Sequence, residues 1–294
     1  MSHARPPAPY ALEQADGVVL VEFLMAFLPL LLLFCAITQL ALIAAAGLVV
    51  QHAAVAGVRA AAVVLDDDPR FYAGAARGSL VAIGDDTSDR AWSQRFTRGF
   101  GAAHNASAEP PAYRDGPRMD AIRSAVHARI AAIVPDTGIM RLLLDPSAPS
   151  GLGRALGRTP LGRLAFGLSW YAPLSTAVSL PIAPGSDELA QGSFNPRTTI
   201  TVRVTHAFAC LVPIVASLLC SPLQWDARAG RPAVAGRGAR RAALRELGTA
   251  PLASQQWLLA RAGIPVWILR SEASLPAQTA AYRYASERSG STRP

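Results

Sequence analysis

The residues whose types and spacing could do chemistry lie near the N-terminus, where one carboxylate stands in a long apolar segment. Glu22 is preceded by Gly17-Val-Val-Leu-Val and followed by Phe23. A carboxylate in a bilayer is costly unless it has a partner or reaches the interface. If the chain were cut after Gly17, Val18 would carry a new ammonium, and Glu22 could pair with it or with that of a neighbouring chain. The alternative is that Glu22 marks the interfacial edge of a helix, where water solvates it.

Other patterns that could indicate catalysis or ligand binding are weak. The segment Gly151-Leu-Gly153-Arg-Ala-Leu-Gly157 has the spacing GxGxxxG and follows no predicted strand, so it does not indicate a dinucleotide site. The sequence has no Ser-centred nucleophile elbow. Its histidines show no metal-ligand spacing: His3, His52, His104, His127 and His206. The sequence therefore predicts a protein that is not an enzyme and has neither a cofactor nor a metal site.

The element that must position Glu22 is a long apolar segment, and it predicts a membrane-spanning helix. Residues 18–50 include 28 apolar residues out of 33, and the 36 residues between Glu22 and Arg59 carry no formal charge. About 20 apolar residues suffice to span a bilayer. The alternative of a buried core helix is disfavoured by this length. A cleaved secretory signal also fits poorly, since its apolar region would be about 7–15 residues behind a basic start.

The N-terminal segment resembles the TadE-like (TadE/TadG) pseudopilins, minor pilin-like components of bacterial Tad/Flp pilus systems. The matching residues are Gly17-Val-Val-Leu-Val-Glu22-Phe23-Leu-Met-Ala-Phe-Leu-Pro29 within a segment of about fifty residues. Two later segments resemble the longer relatives of that family: Thr199-Ile-Thr-Val-Arg-Val-Thr-His206 with Leu211-Val-Pro213, and Ser271-Glu-Ala-Ser-Leu-Pro276. One departure is Asp16, because the family usually has Arg or Lys just before the cleaved glycine.

The resemblance implies a function in assembly. It implies cleavage between Gly17 and Val18 by a prepilin peptidase and pairing of Glu22 with a partner N-terminus. The implied partners are other pilin-like subunits, the Tad inner-membrane assembly platform and the lipid bilayer. The N-terminus would be cytoplasmic and the bulk of the chain periplasmic, on a single-pass protein of the bacterial inner membrane. The alternative function is that of an uncleaved, membrane-anchored periplasmic scaffold of the same apparatus, which Asp16 keeps open.

The helix is expected to extend beyond the bilayer. Residues 18–65 would form a helix about 70 Å long if it is continuous, with Pro29 a site of kinking or local unwinding. Its second half, from His52, is mostly Ala and Val. This composition allows close approach to another helix, or simply reflects high helix propensity. Three aspartates followed by Pro69 predict its end, because acidic residues are unfavourable at a helix C-terminus.

The remaining sequence predicts an α+β head on a helical stalk, which divides the chain into a leader at 1–17, the helix at 18–65 and a periplasmic domain at 66–294. Residues 119–134 predict an amphipathic helix that ends at Pro135. Residues 198–208 and 266–273 predict strands, the first from its alternating, β-branched pattern. Residues 141–163 are expected to be a linker or loop rich in Gly, Arg and Pro.

Two of the three cysteines are predicted to form a disulfide. Cys210 and Cys220 lie in the part that the resemblance makes periplasmic, an oxidising compartment where disulfides persist. A bridge between them would be worth roughly 2–3 kcal/mol in the loop-entropy model. The alternative is two buried free thiols. Cys35, inside the apolar segment, is expected to act as a small apolar residue.

The net charge of +8 comes from 28 basic residues, all of them arginine, against 20 acidic ones. The densest basic stretch spans residues 228–245 and is almost free of aromatic residues, which disfavours single-strand nucleic-acid binding. On an anchored protein this stretch is better explained as a solvated loop or a contact with anionic headgroups. The sequence therefore predicts no nucleic-acid partner.

Overall fold

The chain folds as one long N-terminal helix followed by an α+β head. A computed structural model describes residues 11–80, 116–134, 160–190, 194, 199–222, 224–226, 231–233, 243–244, 246–247, 250, 256 and 264–277, and of residues 11–18 the backbone only. The predicted elements are therefore tested in these ranges.

Helix α1 comprises Ala11–Val64, 54 residues in all. Pro29 lies inside it, and the helical backbone is continuous on both sides. The helix begins upstream of the expected start at Val18. It ends one residue before the expected Leu65, and a 3-10 turn at Pro69–Phe71 follows, capped by the Asp68 carboxylate, which accepts from the Arg70 N–H at 2.9 Å. The acidic stop signal is therefore confirmed.

The head contains a four-stranded antiparallel sheet with the strand order β1-β2-β6-β3. Its two long central strands are β2, Ile200–Ala209, and β6, Pro265–Leu275, which are paired from Ile200↔Leu275 to Ala209↔Val266. Both predicted strands are therefore confirmed, each with slightly shifted ends. The short strands are β1 at Thr176–Ser179 and β3 at Ser221–Pro222; a separate hairpin pairs β4, Gln224–Asp226, with β5, Arg231–Ala233.

Shorter helices accompany the sheet, and the bounds of four of them lie in the described part of the chain: α2 at Pro117–Ile130, α3 at Pro160–Phe166, α4 at Ala172–Ser175 and α5 at Pro213–Leu219. Helix α2 continues as a 3-10 turn through Ile133, and its predicted apolar face is buried from Met119 to Ile130. A π-helical turn at Gly167–Tyr171 joins α3 to α4. The expected loop at 141–163 is wrong for its last residues, because α3 begins at Pro160; residues 141–159 lie outside the described residues.

The second half of α1 is part of the core of the head. Val50, Ala53, Ala54, Val58 and Ala61 are buried in one cluster with residues of α2 and β2. The small side chains therefore allow close approach, which was one of the two interpretations of the sequence. The helix and strand that approach α1 belong to the head of the same chain.

Gly57 is the point of closest approach. A Cβ at this position would lie 2.8 Å from Val126 Cγ2 of α2 and 3.0 Å from Val202 Cγ1 of β2. Contacts this short force a neighbour to move. The glycine therefore lets α1 contact both α2 and the sheet at the same position along its length.

A buried arginine holds the C-terminal end of α1. The Arg118 guanidinium of α2 donates to the Val64 carbonyl, and to the Asp67 and Ala75 carbonyls at 2.9 Å each. Carbonyls at a helix end lack partners within the helix, and the end carries partial negative charge. Arg118 supplies both hydrogen-bond donors and positive charge. Burial lowers the pKa of Arg118 from its ordinary value.

We expect Gly57→Val to destabilise the protein by about 1–3 kcal/mol, because the added methyl groups overpack the contact with α2 and β2. The measurement is urea unfolding in detergent micelles, followed by circular dichroism. Gly47→Val is the matched control, since a Cβ at Gly47 meets no atom within 4 Å. Equal stability of the two variants would contradict the proposed tight contact at Gly57.

Candidate membrane anchor and its junction with the head

The first half of α1 exposes large apolar side chains, and residues 19–30 do so on its whole circumference. Met25, Leu30 and Phe34 are 74%, 65% and 68% exposed, and the rings of Phe23 and Phe27 stack with centroids 5.4 Å apart. In the described chain, α1 is the one helix long and apolar enough to cross a membrane, by length and composition alone. The first buried residue along it is Gln39. Residues 19–30 are exposed on all sides, whereas one side of the helix is partly covered between Leu31 and Thr38. Residues 19–38 together extend about 30 Å, close to the hydrocarbon thickness of a bilayer.

The predicted processing and pairing residues lie at the start of this exposed half. Glu22 is exposed, one turn after Val19. The backbone is already helical at Gly17 and Val18, so the peptide bond between them lies inside α1 and not at its beginning. The Val18 side chain lies outside the described part of the structure.

Gln39 marks the junction between the exposed half of α1 and the head. Its side chain is fully buried, and Oε1 accepts from the backbone N–H of Leu211 at 3.2 Å and of Val212 at 3.0 Å. These two N–H groups precede α5 and have no carbonyl partner one turn earlier in that helix. A polar residue inside the apolar segment is thus explained by a contact 172 residues away in the chain.

The disulfide lies at the same junction. Cys210 and Cys220 are bonded, as the sequence predicts, with their Cα atoms 6.6 Å apart. The bridge closes the loop that contains α5. Both cysteines pack with Ala216 of α5, Phe208 of β2, and Ile43 and Ala46 of α1 in one apolar cluster. The end of β2 and α5 are therefore attached to α1 just beyond Gln39.

The polar side chains of β2 form a buried ion-pair network that the sequence did not predict. Arg203 is fully buried; its Nε donates to Glu272 Oε1 at 2.8 Å and its Nη1 to Glu246 Oε1 at 2.9 Å. Thr205 Oγ1 donates to Glu246 Oε2 at 2.6 Å. Burial raises the pKa of Glu272, but hydrogen bonds from the Gly185 N–H and Arg203 outweigh it and bring that pKa below its ordinary value. The alternation in β2 therefore reflects two buried faces, one apolar and one ionic.

A second group of potentially reactive side chains surrounds His206. Thr176 Oγ1 lies 2.9 Å from Nδ1, and the Tyr171 hydroxyl lies 3.4 Å from Nε2. Burial lowers the pKa of His206 to about 3 and raises that of Tyr171, so both groups are neutral at pH 7. His206, Thr176 and Tyr171 are at most 2% exposed. Since a substrate cannot reach them, we assign this group to the packing of β1 against β2.

The described residues contain no group of three or more His, Cys, Asp or Glu side chains that could hold a metal ion. Most of the Arg-rich stretch at 228–245 lies outside the described residues, so its role stays a prediction.

No family model, curated protein or solved structure matches this chain. Residues 199–206 and 271–276 are neighbours in the fold. They lie mostly in β2 and β6, where Arg203 of one strand is paired in register with Glu272 of the other.

We expect Gln39→Leu to release the loop before α5, because the substitution removes the acceptor of two N–H groups. Hydrogen exchange followed by mass spectrometry should show faster deuterium uptake at Leu211 and Val212, with a stability loss of about 1–2 kcal/mol. Thr38→Val is the control, since the Thr38 hydroxyl donates to the Phe34 carbonyl within α1 at 2.9 Å. Unchanged uptake in the Gln39 variant would show that the amide does not hold the loop.

Proposed function

We propose that this chain is a minor pseudopilin of a Tad-type (Flp, type IVc) pilus or a related secretion machine, and that it acts in assembly through contacts and not through catalysis. The observation that carries the proposal is the difference in burial between the two halves of α1. One continuous helix leaves residues 19–30 exposed on all sides and residues 31–38 exposed on one side, and its second half is buried against α2 and an antiparallel sheet. This stalk-and-head arrangement is the one that the resemblance of the N-terminal segment implies.

In this function the exposed half of α1 lies in the bilayer and bundles with the helices of other pilin-like subunits. Glu22 then needs a partner, because a carboxylate within the hydrocarbon region costs about 2.5–3.5 kcal/mol on insertion scales. Cleavage after Gly17 supplies one, since the new ammonium of Val18 in the same or a neighbouring subunit can pair with the Glu22 carboxylate.

The proposed topology has the N-terminus in the cytoplasm and the head in the periplasm. The Cys210–Cys220 bond supports this orientation, because disulfides persist in the periplasm and are rare in the cytosol. Partners would be other pilin-like subunits, the inner-membrane assembly platform and a prepilin peptidase.

The second candidate function is an uncleaved, membrane-anchored periplasmic scaffold of the same apparatus. Two observations favour it. Asp16 stands where the family usually has a basic residue, and α1 is already helical from Ala11, so the Gly17–Val18 bond must leave a helical conformation before a protease can cut it.

N-terminal sequencing of the protein extracted from membranes separates the two functions. The pseudopilin function predicts a mature chain that begins at Val18 when the prepilin peptidase is present and an intact leader when the peptidase gene is deleted. An intact leader in both strains would contradict processing and favour the scaffold.

We expect Glu22→Ala to insert into the membrane normally but to retain at least several-fold less of the partner pilins on co-purification, because the ammonium of the partner loses its counter-charge. Glu188→Ala, which removes an exposed carboxylate of the head, is the control. Undiminished co-purification with the Glu22 variant would remove this residue from the proposed mechanism.

A further inference from the structure

Helix α5 presents an apolar surface that the described part of the head leaves exposed. Ile214 and Leu218, one helical turn apart, are 53% and 74% exposed, and Leu211 just before the helix is 37% exposed. The sequence has no Asp, Glu, Lys or Arg between Arg203 and Asp226. An exposed helix with large apolar side chains and no charged neighbours in sequence is unusual in contact with water.

The position of α5 along α1 indicates what covers this surface. The loop before α5 is bonded to Gln39, and Ala216 of α5 packs in the cluster that contains Ile43 and Ala46. These contacts begin where the exposed apolar half of α1 ends. If residues 19–38 fill the hydrocarbon region, the polar interface of the bilayer lies at the level of α5.

We propose that α5 is an interfacial foot of the head, which inserts Ile214 and Leu218 into the boundary between headgroups and acyl chains where α1 leaves the bilayer. The proposal rests on the proposed function, because it requires α1 to cross the membrane. The occupant of the apolar surface is lipid, since α5 packs on α1 directly after the exposed apolar half of that helix.

The surroundings of α5 fit this position. Trp267, at the start of β6, is partly exposed and packs against the same cluster. Tryptophan is enriched at membrane interfaces, where its apolar ring and its N–H group face different environments. The Cys210–Cys220 bond and the Gln39 hydrogen bonds keep α5 against α1. The foot is therefore rigidly joined to the anchor.

A second membrane contact would restrict the orientation of the head. A single helix allows a head to rotate about the helix axis and to tilt with it. With α5 in the interface, a tilt of α1 would move Ile214 and Leu218 out of the boundary or deeper into the acyl chains. The contact therefore restricts the tilt of α1 and, with it, the inclination of the head to the membrane.

Spin-label accessibility tests the foot in the full-length protein, reconstituted in vesicles of phosphatidylethanolamine and phosphatidylglycerol. Single-cysteine variants Leu218→Cys, Leu30→Cys and Phe71→Cys are made in a Cys35→Ser background and labelled with a nitroxide; Cys210 and Cys220 stay in their disulfide. Phe71, 67% exposed just after α1, is the aqueous reference, and Leu30, 65% exposed, reports on the span itself. The readout is the ratio of oxygen to nickel-chelate accessibility.

We expect ratios at Leu218 and Leu30 several-fold above that at Phe71, since oxygen concentrates in lipid and the chelate in water. An aqueous ratio at Leu218 with a lipid ratio at Leu30 overturns the foot and leaves the anchor intact. An aqueous ratio at Leu30 overturns the anchor and the foot together. A label at Leu218 that neither reagent reaches indicates a protein partner on α5 and also overturns the proposal.

Discussion

The close contact of α1 with α2 and β2 at Gly57 determines how the rest of the molecule is arranged. Because no side chain intervenes at this position, the helix lies against both elements, and Ala53, Ala54 and Ala61 are fully buried around it. The sheet then has an apolar face on α1 and an ionic face on its other side. The head is consequently not independent of α1, since the second half of this helix forms a large part of the core of the head.

The same helix changes its surroundings at Gln39. Before this residue its side chains are exposed or only partly covered; after it they alternate between the head and the solvent. A hydrogen-bonded amide, a disulfide and a short helix meet at this point. All three therefore attach the end of β2, the central strand of the head, to α1.

The sequence was sufficient for the elements with a strong local signal. The apolar run, the acidic stop after it, the β-branched strand and the amphipathic α2 each depend on neighbouring residues, and each is found close to its predicted place. The disulfide was predicted because the resemblance places Cys210 and Cys220 in the periplasm, where disulfides persist. Strand β1 was missed because its four residues are all buried and show no alternation. Helix α3 was missed because the Gly, Arg and Pro content before it is typical of loops.

The buried arginines could not be predicted, because their partners are distant in the chain. Arg118 binds the carbonyl of Val64, 54 residues earlier, and Arg203 binds Glu272, 69 residues later. Arginine is almost never fully buried without partners, so a β-branched strand with a central arginine was the available signal for an internal ion pair. The function of Gln39 was hidden for the same reason, since nothing near it in sequence indicates the N–H groups that it binds.

The central claim is that α1 is one helix with a lipid-facing half and a protein-facing half, divided near Gln39. Labelling rates with a membrane-impermeant maleimide, measured for single cysteines along α1 in proteoliposomes, test it most directly. In a Cys35→Ser background, Leu48→Cys and Val63→Cys, at residues 61% and 65% exposed, should label rapidly. Phe27→Cys, Leu30→Cys and Phe34→Cys should be protected until detergent is added. Rapid labelling of these three positions in intact vesicles would contradict the account.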